Sequence, residues 1–122
     1  MAVFWGKGWW AMDRKKVEEI KEDVKKFKKV GRKKFGIEKI IIFGSVARGK
    51  IDRHSDVDLI VVSKYYGRRD VFRIVPQLYE LWHEKLKMDM PIDFLLFNVK
   101  EFNKLKKEVS IVSTALEEGI EV

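Results

Sequence analysis

Two segments decide how this chain is read. They are Ile40-Ile41-Ile42-Phe43-Gly44-Ser45-Val46-Ala47-Arg48-Gly49 and, after a short interval, Ser55-Asp56-Val57-Asp58-Leu59-Ile60-Val61-Val62. Two apolar runs of strand length bracket a Gly-Ser pair and an Asp-x-Asp pair. A small pair leaving a strand offers backbone N–H groups to a phosphate, most effectively where a helix begins. Carboxylates at strand period project to one face of a sheet, where hard divalent cations bind them. Taken singly, Gly-Ser is a turn and Asp-x-Asp a solvated strand start. Jointly, a Gly-Ser pair and two aspartates at these offsets should arise by chance on the order of once in a thousand chains of this length. The conjunction therefore counts as a motif.

A third acid lies further on. Asp93 opens the apolar run Pro91-Ile92-Asp93-Phe94-Leu95-Leu96-Phe97, where a charge is costly unless it is paired or bound to a metal. The plain alternative is a strand-edge carboxylate in water. With two carboxylates already at the start of a neighbouring strand, the reading preferred is a ligand set of Asp56, Asp58 and Asp93.

The chain around these residues predicts a small α/β protein. Residues 1–12 (Met-Ala-Val-Phe-Trp-Gly-Lys-Gly-Trp-Trp-Ala-Met) have neither helical nor strand period. They are expected to be a Trp/Gly-rich extension, either ahead of the true start at Met12 or serving as an aromatic docking arm. Residues 13–35 read as an amphipathic helix with Val17, Ile20, Val24, Phe27 and Val30 or Gly31 inward, stopped by Gly36. Strands are expected at 38–43, 56–62 and 92–97, with a short helix at 44–48 and a polar loop at 50–55. A helix reaching Met88, kinked or begun at Pro76, buries Val71, Ile74, Val75, Leu78, Leu81, Trp82 and Leu86. A last helix from about Lys100 to Gly119 buries Phe102, Leu105, Val109, Val112 and Leu116. The order is α-β-α-β-α-β-α, a small mixed sheet covered by helices, with 13–122 one domain and 36–122 its core.

Composition bounds the rest. The chain has 122 residues, 46% hydrophobic and 37% charged, with no cysteine and a net charge of +7. That suits a compact globule and rules out disulfides and thiolate metal sites. No apolar run is long enough to span a membrane. The first fifteen residues lack a signal core and a cleavage site, so the expectation is a cytoplasmic protein. Between Asp13 and Phe35 eleven basic residues face five acidic ones, which places +6 of the charge on one helix. A solvated helix surface is preferred over nucleic-acid binding there, because no aromatics interleave with the cations.

With these residues in view, the chain resembles the minimal nucleotidyltransferase family of the DNA polymerase beta-like superfamily. The likeness rests on Phe43-Gly44-Ser45-Val46-Ala47-Arg48-Gly49, Ser55-Asp56-Val57-Asp58-Leu59 and Ile92-Asp93-Phe94, and covers about residues 36–122. It implies that Asp56 and Asp58 hold two Mg²⁺ ions and that Asp93 completes the catalytic metal site. Gly44 and Ser45 would hold the β- and γ-phosphates of ATP or another nucleoside triphosphate. Arg48 would either reach a phosphate or brace the loop against a carboxylate. Lys50, Arg53, Arg68, Arg69 and Arg73 are read as solvated cations, Ser55 as shaping the strand entry, His54 as an exposed loop residue and His83 as structural. The resemblance also implies an acceptor: a HEPN-type toxin whose tyrosine is adenylylated, making this chain its antitoxin. The alternatives are a non-catalytic nucleotide- or toxin-binding module, and a catalytic subunit of an RNA or small-molecule nucleotidyltransferase. A homo-oligomer is compatible with each.

Overall fold

The computed structural model describes residues 2–49, 51 and 56–122, and side chains from Lys16 onward. Lys50, Arg53, His54 and Ser55 lie outside the described residues, as do the side chains of Trp5, Trp9 and Trp10.

Helix α1 (Ala2–Phe35) leads into β1 (Ile37–Phe43), a tight turn, and β2 (Val57–Ser63). Helix α2 (Val71–Tyr79), β3 (Ile92–Asn98), α3 (Val99–Leu105), α4 (Ile111–Glu118) and a short β4 (Ile120–Glu121) complete the order. The sheet runs β3-β2-β1-β4. β1 is antiparallel to β2 and β4, and β2 is parallel to β3. This is a mixed α/β architecture, with apolar residues on both faces of the sheet as strand alternation requires.

One face packs Ile37, Ile40, Ile42, Leu59, Val61, Phe94 and Leu96 against α1 and α2. Phe27 is the joint of that layer. Its ring stacks on Phe94 at 5.4 Å and meets Trp82 edge-on at 5.7 Å, joining α1, β3 and the segment after α2. Trp82 is fully buried, and its Nε1 donates to the Met90 carbonyl at 2.9 Å. The other face buries Ile41, Ile60, Val62 and Phe97 under Phe102, Val112 and Ala115.

Five expectations are corrected. The first helix starts at Ala2 rather than Asp13, so no break separates residues 2–12 from it. Helix propensity is a weak prior, and a glycine costs only about 1 kcal/mol within a helix. The segment 44–49 is a hydrogen-bonded turn rather than a short helix: Arg48 N–H donates to Gly44 O at 3.2 Å and Gly49 N–H to Val46 O at 3.0 Å. Left-handed φ at Gly44 (+76°) and Gly49 (+73°) closes it at both ends.

The third correction concerns the reading of Pro76 as a helix start: it lies inside α2, which begins at Val71. The bond it cannot make would go to the carbonyl of Phe72, a residue 97% exposed. Beyond Tyr79 the helix widens into a π-type turn over Glu80–Lys85, with Leu86 N–H donating to Leu81 O at 2.9 Å.

The fourth is that the last helix is two. Asn98 caps α3, accepting from Glu101 N at 2.8 Å while Glu101 accepts from Asn98 N at 2.9 Å. Ser110 caps α4, accepting from Ser113 N at 3.2 Å, and its hydroxyl donates to Leu105 O at 2.7 Å, closing α3. Val109 falls in the break and is fully exposed, and Ala115 rather than Leu116 faces the core. The fifth is β4, an edge strand absent from the expectation. Among the described residues no helix is long and apolar enough to cross a membrane.

Candidate active site

The site lies where β1 ends and β2 and β3 begin. Parallel pairing sets Asp58 of β2 directly beside Asp93 of β3, and antiparallel pairing sets Phe43 of β1 on its other side. Adjacent strands are about 4.8 Å apart, so register alone brings two carboxylates together. Alternation gives Asp58 the same face as Ile60 and Val62, and Asp93 the same face as Leu95 and Phe97. Asp56 stands one residue before β2 and is exposed. Pro91 O accepts from Val57 N at 2.8 Å and locks the strand entries together.

Gly44 abuts this pair. Its φ of +76° is left-handed, and a Cβ there would overlap the Asp58 carboxylate. A glycine is therefore required twice, by backbone conformation and by the close approach of an acid. Ser45 follows, half-buried in the same turn. Arg48 at the end of the turn pairs with Glu118 of α4 at 3.2 Å, both side chains half exposed. Of the two roles expected for Arg48, bracing the loop is the contact seen here.

The electrostatics follow from that packing. Burial pushes the Asp58 carboxyl above its ordinary range, the Asp93 and Asp56 carboxylates push it further, and the Arg48 guanidinium opposes them. Asp56, Asp58 and Asp93 are thus one electrostatic group. Among the described residues, however, no three acidic or histidine side chains converge into a ready metal cage. The donor set is nonetheless all carboxylate oxygen, with a glycine beside Asp58, and that chemistry fits a hard divalent cation.

One member of the site was not in the expectation. The Tyr79 hydroxyl donates to Asp93 Oδ1 at 3.3 Å, although α2 packs against the opposite face of the sheet. Its ring meets Phe94 edge-on at 5.0 Å and stacks near-parallel to His83 at 6.3 Å. Burial raises the Tyr79 hydroxyl above its ordinary range, the Asp93 charge and hydrogen bond add to that, the Phe94 backbone opposes, and Asp56 contributes last. It therefore stays a donor. Nothing in the local sequence marks it, since Tyr79 occupies an ordinary position of an amphipathic helix. His83 is tied to the Met88 carbonyl by Nδ1 at 3.0 Å.

Two proteins of Methanocaldococcus jannaschii, each named "Putative protein adenylyltransferase", are similar to the chain. One is 43% identical over 47 residues, 38% of this chain and 47% of its own length. The other is 40% identical over 59 residues, 48% and 58% respectively. The chain thus spans about half the length of the curated relatives it matches. Residues 25–118 match the model of the polymerase beta nucleotidyltransferase family, from the second half of α1 to the end of α4. By that match across most of its length, the chain belongs to the polymerase beta nucleotidyltransferase family.

Proposed function

We propose that the protein transfers the nucleoside monophosphate of a triphosphate, most simply AMP from ATP, onto a hydroxyl of a partner protein. The observation that carries this reading is Asp58 beside Asp93 in register, with Gly44 backing onto Asp58. The name borne by the relatives supports a protein as acceptor.

In this reading Asp56, Asp58 and Asp93 hold two Mg²⁺ ions. Bound there, the ions supply positive charge for the attacking and leaving oxygens. Gly44 and Ser45 receive the β- and γ-phosphates through backbone N–H groups, and no Cβ at Gly44 crowds the approach. The acceptor oxygen bonds to the α-phosphorus, the bond from that phosphorus to the bridging oxygen breaks, and pyrophosphate leaves. Asp93 accepts the hydroxyl proton. Tyr79, donating to Asp93 Oδ1, orients that carboxylate. Arg48, paired with Glu118, keeps the turn closed. At the finest level, the acceptor is a HEPN-type toxin and the protein is its antitoxin.

The test is incubation with Mg²⁺ and α-labelled ATP, alone and with the product of the adjacent gene. Label on the neighbour supports the protein acceptor, and no label from any of the four triphosphates overturns the transferase reading. If Asp56→Asn with Asp58→Asn still neutralises the partner fully, adenylylation is not the antitoxin mechanism.

A further inference from the structure

The end of the sheet opposite Gly44 and Asp58, about 20 Å away along β1, carries a different chemistry. A cavity of about 440 Å³ there is lined by Lys29, Arg32, Lys33, Gly36, Lys64 and Tyr65. Its volume falls in the range of about 300–1,000 Å³ typical of small-ligand sites. Four cations converge on it from the end of α1 and the loop after β2. Lys64 lies 3.8 Å from Glu38 in an exposed pair. The ion pairs within α1 use Lys16, Lys21 and Lys25, leaving Lys29, Arg32 and Lys33 without a carboxylate partner among the described residues.

Tyr65 supplies what the basic helix lacks as a sequence, an aromatic surface among the cations. Its ring lies against Gly36, whose φ is +62° and where a Cβ would come within 2.6 Å of it. The backbone that carries the ring is tied down. Ser63, the one buried polar side chain among the described residues, donates to Phe35 O at 2.6 Å and accepts from Tyr65 N and Tyr66 N at 3.0 Å each. This joins the loop to the end of α1, yet Tyr65 remains 64% exposed.

We propose that this cavity binds a nucleotide unit, its phosphate held by Lys29, Arg32, Lys33 and Lys64 and its base stacked on Tyr65. It is a second site, independent of the carboxylate cluster. Clustered cations beside an open aromatic ring are the means by which single strands are held without sequence preference. An acidic peptide would use the cations and leave the ring idle. A single-stranded nucleic acid and a free nucleotide offer the same unit, and the experiment separates them.

The experiment measures anisotropy of a 5′-labelled twelve-residue oligoadenylate RNA in EDTA, on the intact chain and on an Asp58→Asn, Asp93→Asn variant. Saturable binding equal in both is expected, weakening as salt rises with a log–log slope of about −0.7 for each phosphate held. Arg32→Glu with Lys33→Glu should weaken binding at least about tenfold, and the charge-matched Lys104→Glu on α3 with Lys107→Glu in the turn after it should change it little. Tyr65→Ala should weaken binding about tenfold and Tyr65→Phe should keep it. Displacement by AMP at comparable concentration per nucleotide assigns the site to free nucleotides, and displacement by oligonucleotide alone assigns it to strands. No saturable binding of either, equal losses in the two charge variants, or an unaffected Tyr65→Ala overturns the proposal. Displacement as effective by polyglutamate overturns it in favour of an acidic protein. Because EDTA removes Mg²⁺ throughout and the variant neutralises Asp58 and Asp93, failure here leaves the transferase reading standing, and the reverse also holds.

Discussion

At one end of β1, Gly44 turns left-handed and its missing Cβ admits the carboxylate of Asp58; at the other, Gly36 turns left-handed and its missing Cβ admits the ring of Tyr65. The same backbone device serves two surfaces of opposite charge. Around Gly44 stand Asp56, Asp58 and Asp93, and around Gly36 stand Lys29, Arg32, Lys33 and Lys64. The acidic end gathers like charges, and it draws on strand register to do so. The basic end gathers charges that call for an anion, and it draws on a helix terminus meeting a loop. A four-stranded sheet thus separates an acidic and a basic cluster along its length.

Substitutions at each end break or sharpen that contrast. Asp58→Asn should have the largest effect: transfer of label from ATP should fall at least about a hundredfold, with RNA binding at the basic cavity unchanged. Loss at both ends would mean that the two are not separate. Gly44→Ala comes next. Forcing a Cβ into left-handed backbone costs about 1–2 kcal/mol, readable in the urea midpoint, and crowding Asp58 should lower transfer as well. Gly36→Ala should cost a similar amount of stability while weakening binding at Tyr65 and sparing transfer, so the pair of glycines tests the comparison directly.

Smaller effects refine it. Tyr79→Phe removes the donor to Asp93 Oδ1 but keeps the ring against Phe94. A loss of roughly 1 kcal/mol, near fivefold in kcat, is expected, while the melting temperature should hardly move. The smallest effect concerns Asp70, which shapes the loop beyond Tyr66. Its carboxylate accepts from Gly67 N at 2.9 Å and pairs with Arg73 at 3.0 Å, and the Gly67 N–H above all holds its pKa below the ordinary value. A folded-state pKa below the unfolded one stabilises the fold fully above about pH 4. That contribution is lost as pH falls through the folded value. Asp70→Asn should therefore be less stable than the parent near pH 6, with the difference shrinking toward pH 2 in chemical denaturation; a constant difference would contradict the linkage.

The acidic end was legible in the linear chain because its parts are local. Gly44, Ser45, Asp56 and Asp58 sit at short fixed offsets between two apolar runs, and Asp93 opens a third. The division of α3 from α4 was partly legible. Phe102, Leu105, Val109 and Val112 fit one unbroken helix, but Asn98-x-x-Glu101 and Ser110-x-x-Ser113 are capping signals that outweigh the spacing. The π-type turn after α2 carries the buried Trp82, whose Nε1 reaches the Met90 carbonyl, a contact that no local pattern marks.

By itself, then, the sequence determined the three long strands, most of the inward-facing helix residues and the acids that meet at the sheet's end. Periodicity and short-range spacing are written residue by residue, and burial of apolar faces enforces them. Only the tertiary structure decided that Tyr79 donates to Asp93 from a helix on the other face, that Arg48 pairs with Glu118, and that Tyr65 stands among the cations of α1. Those partners are 14 residues apart in the first case and 70 in the second. Contacts of that kind exist only once the chain has packed, because it is the sheet, not the local sequence, that brings them within reach.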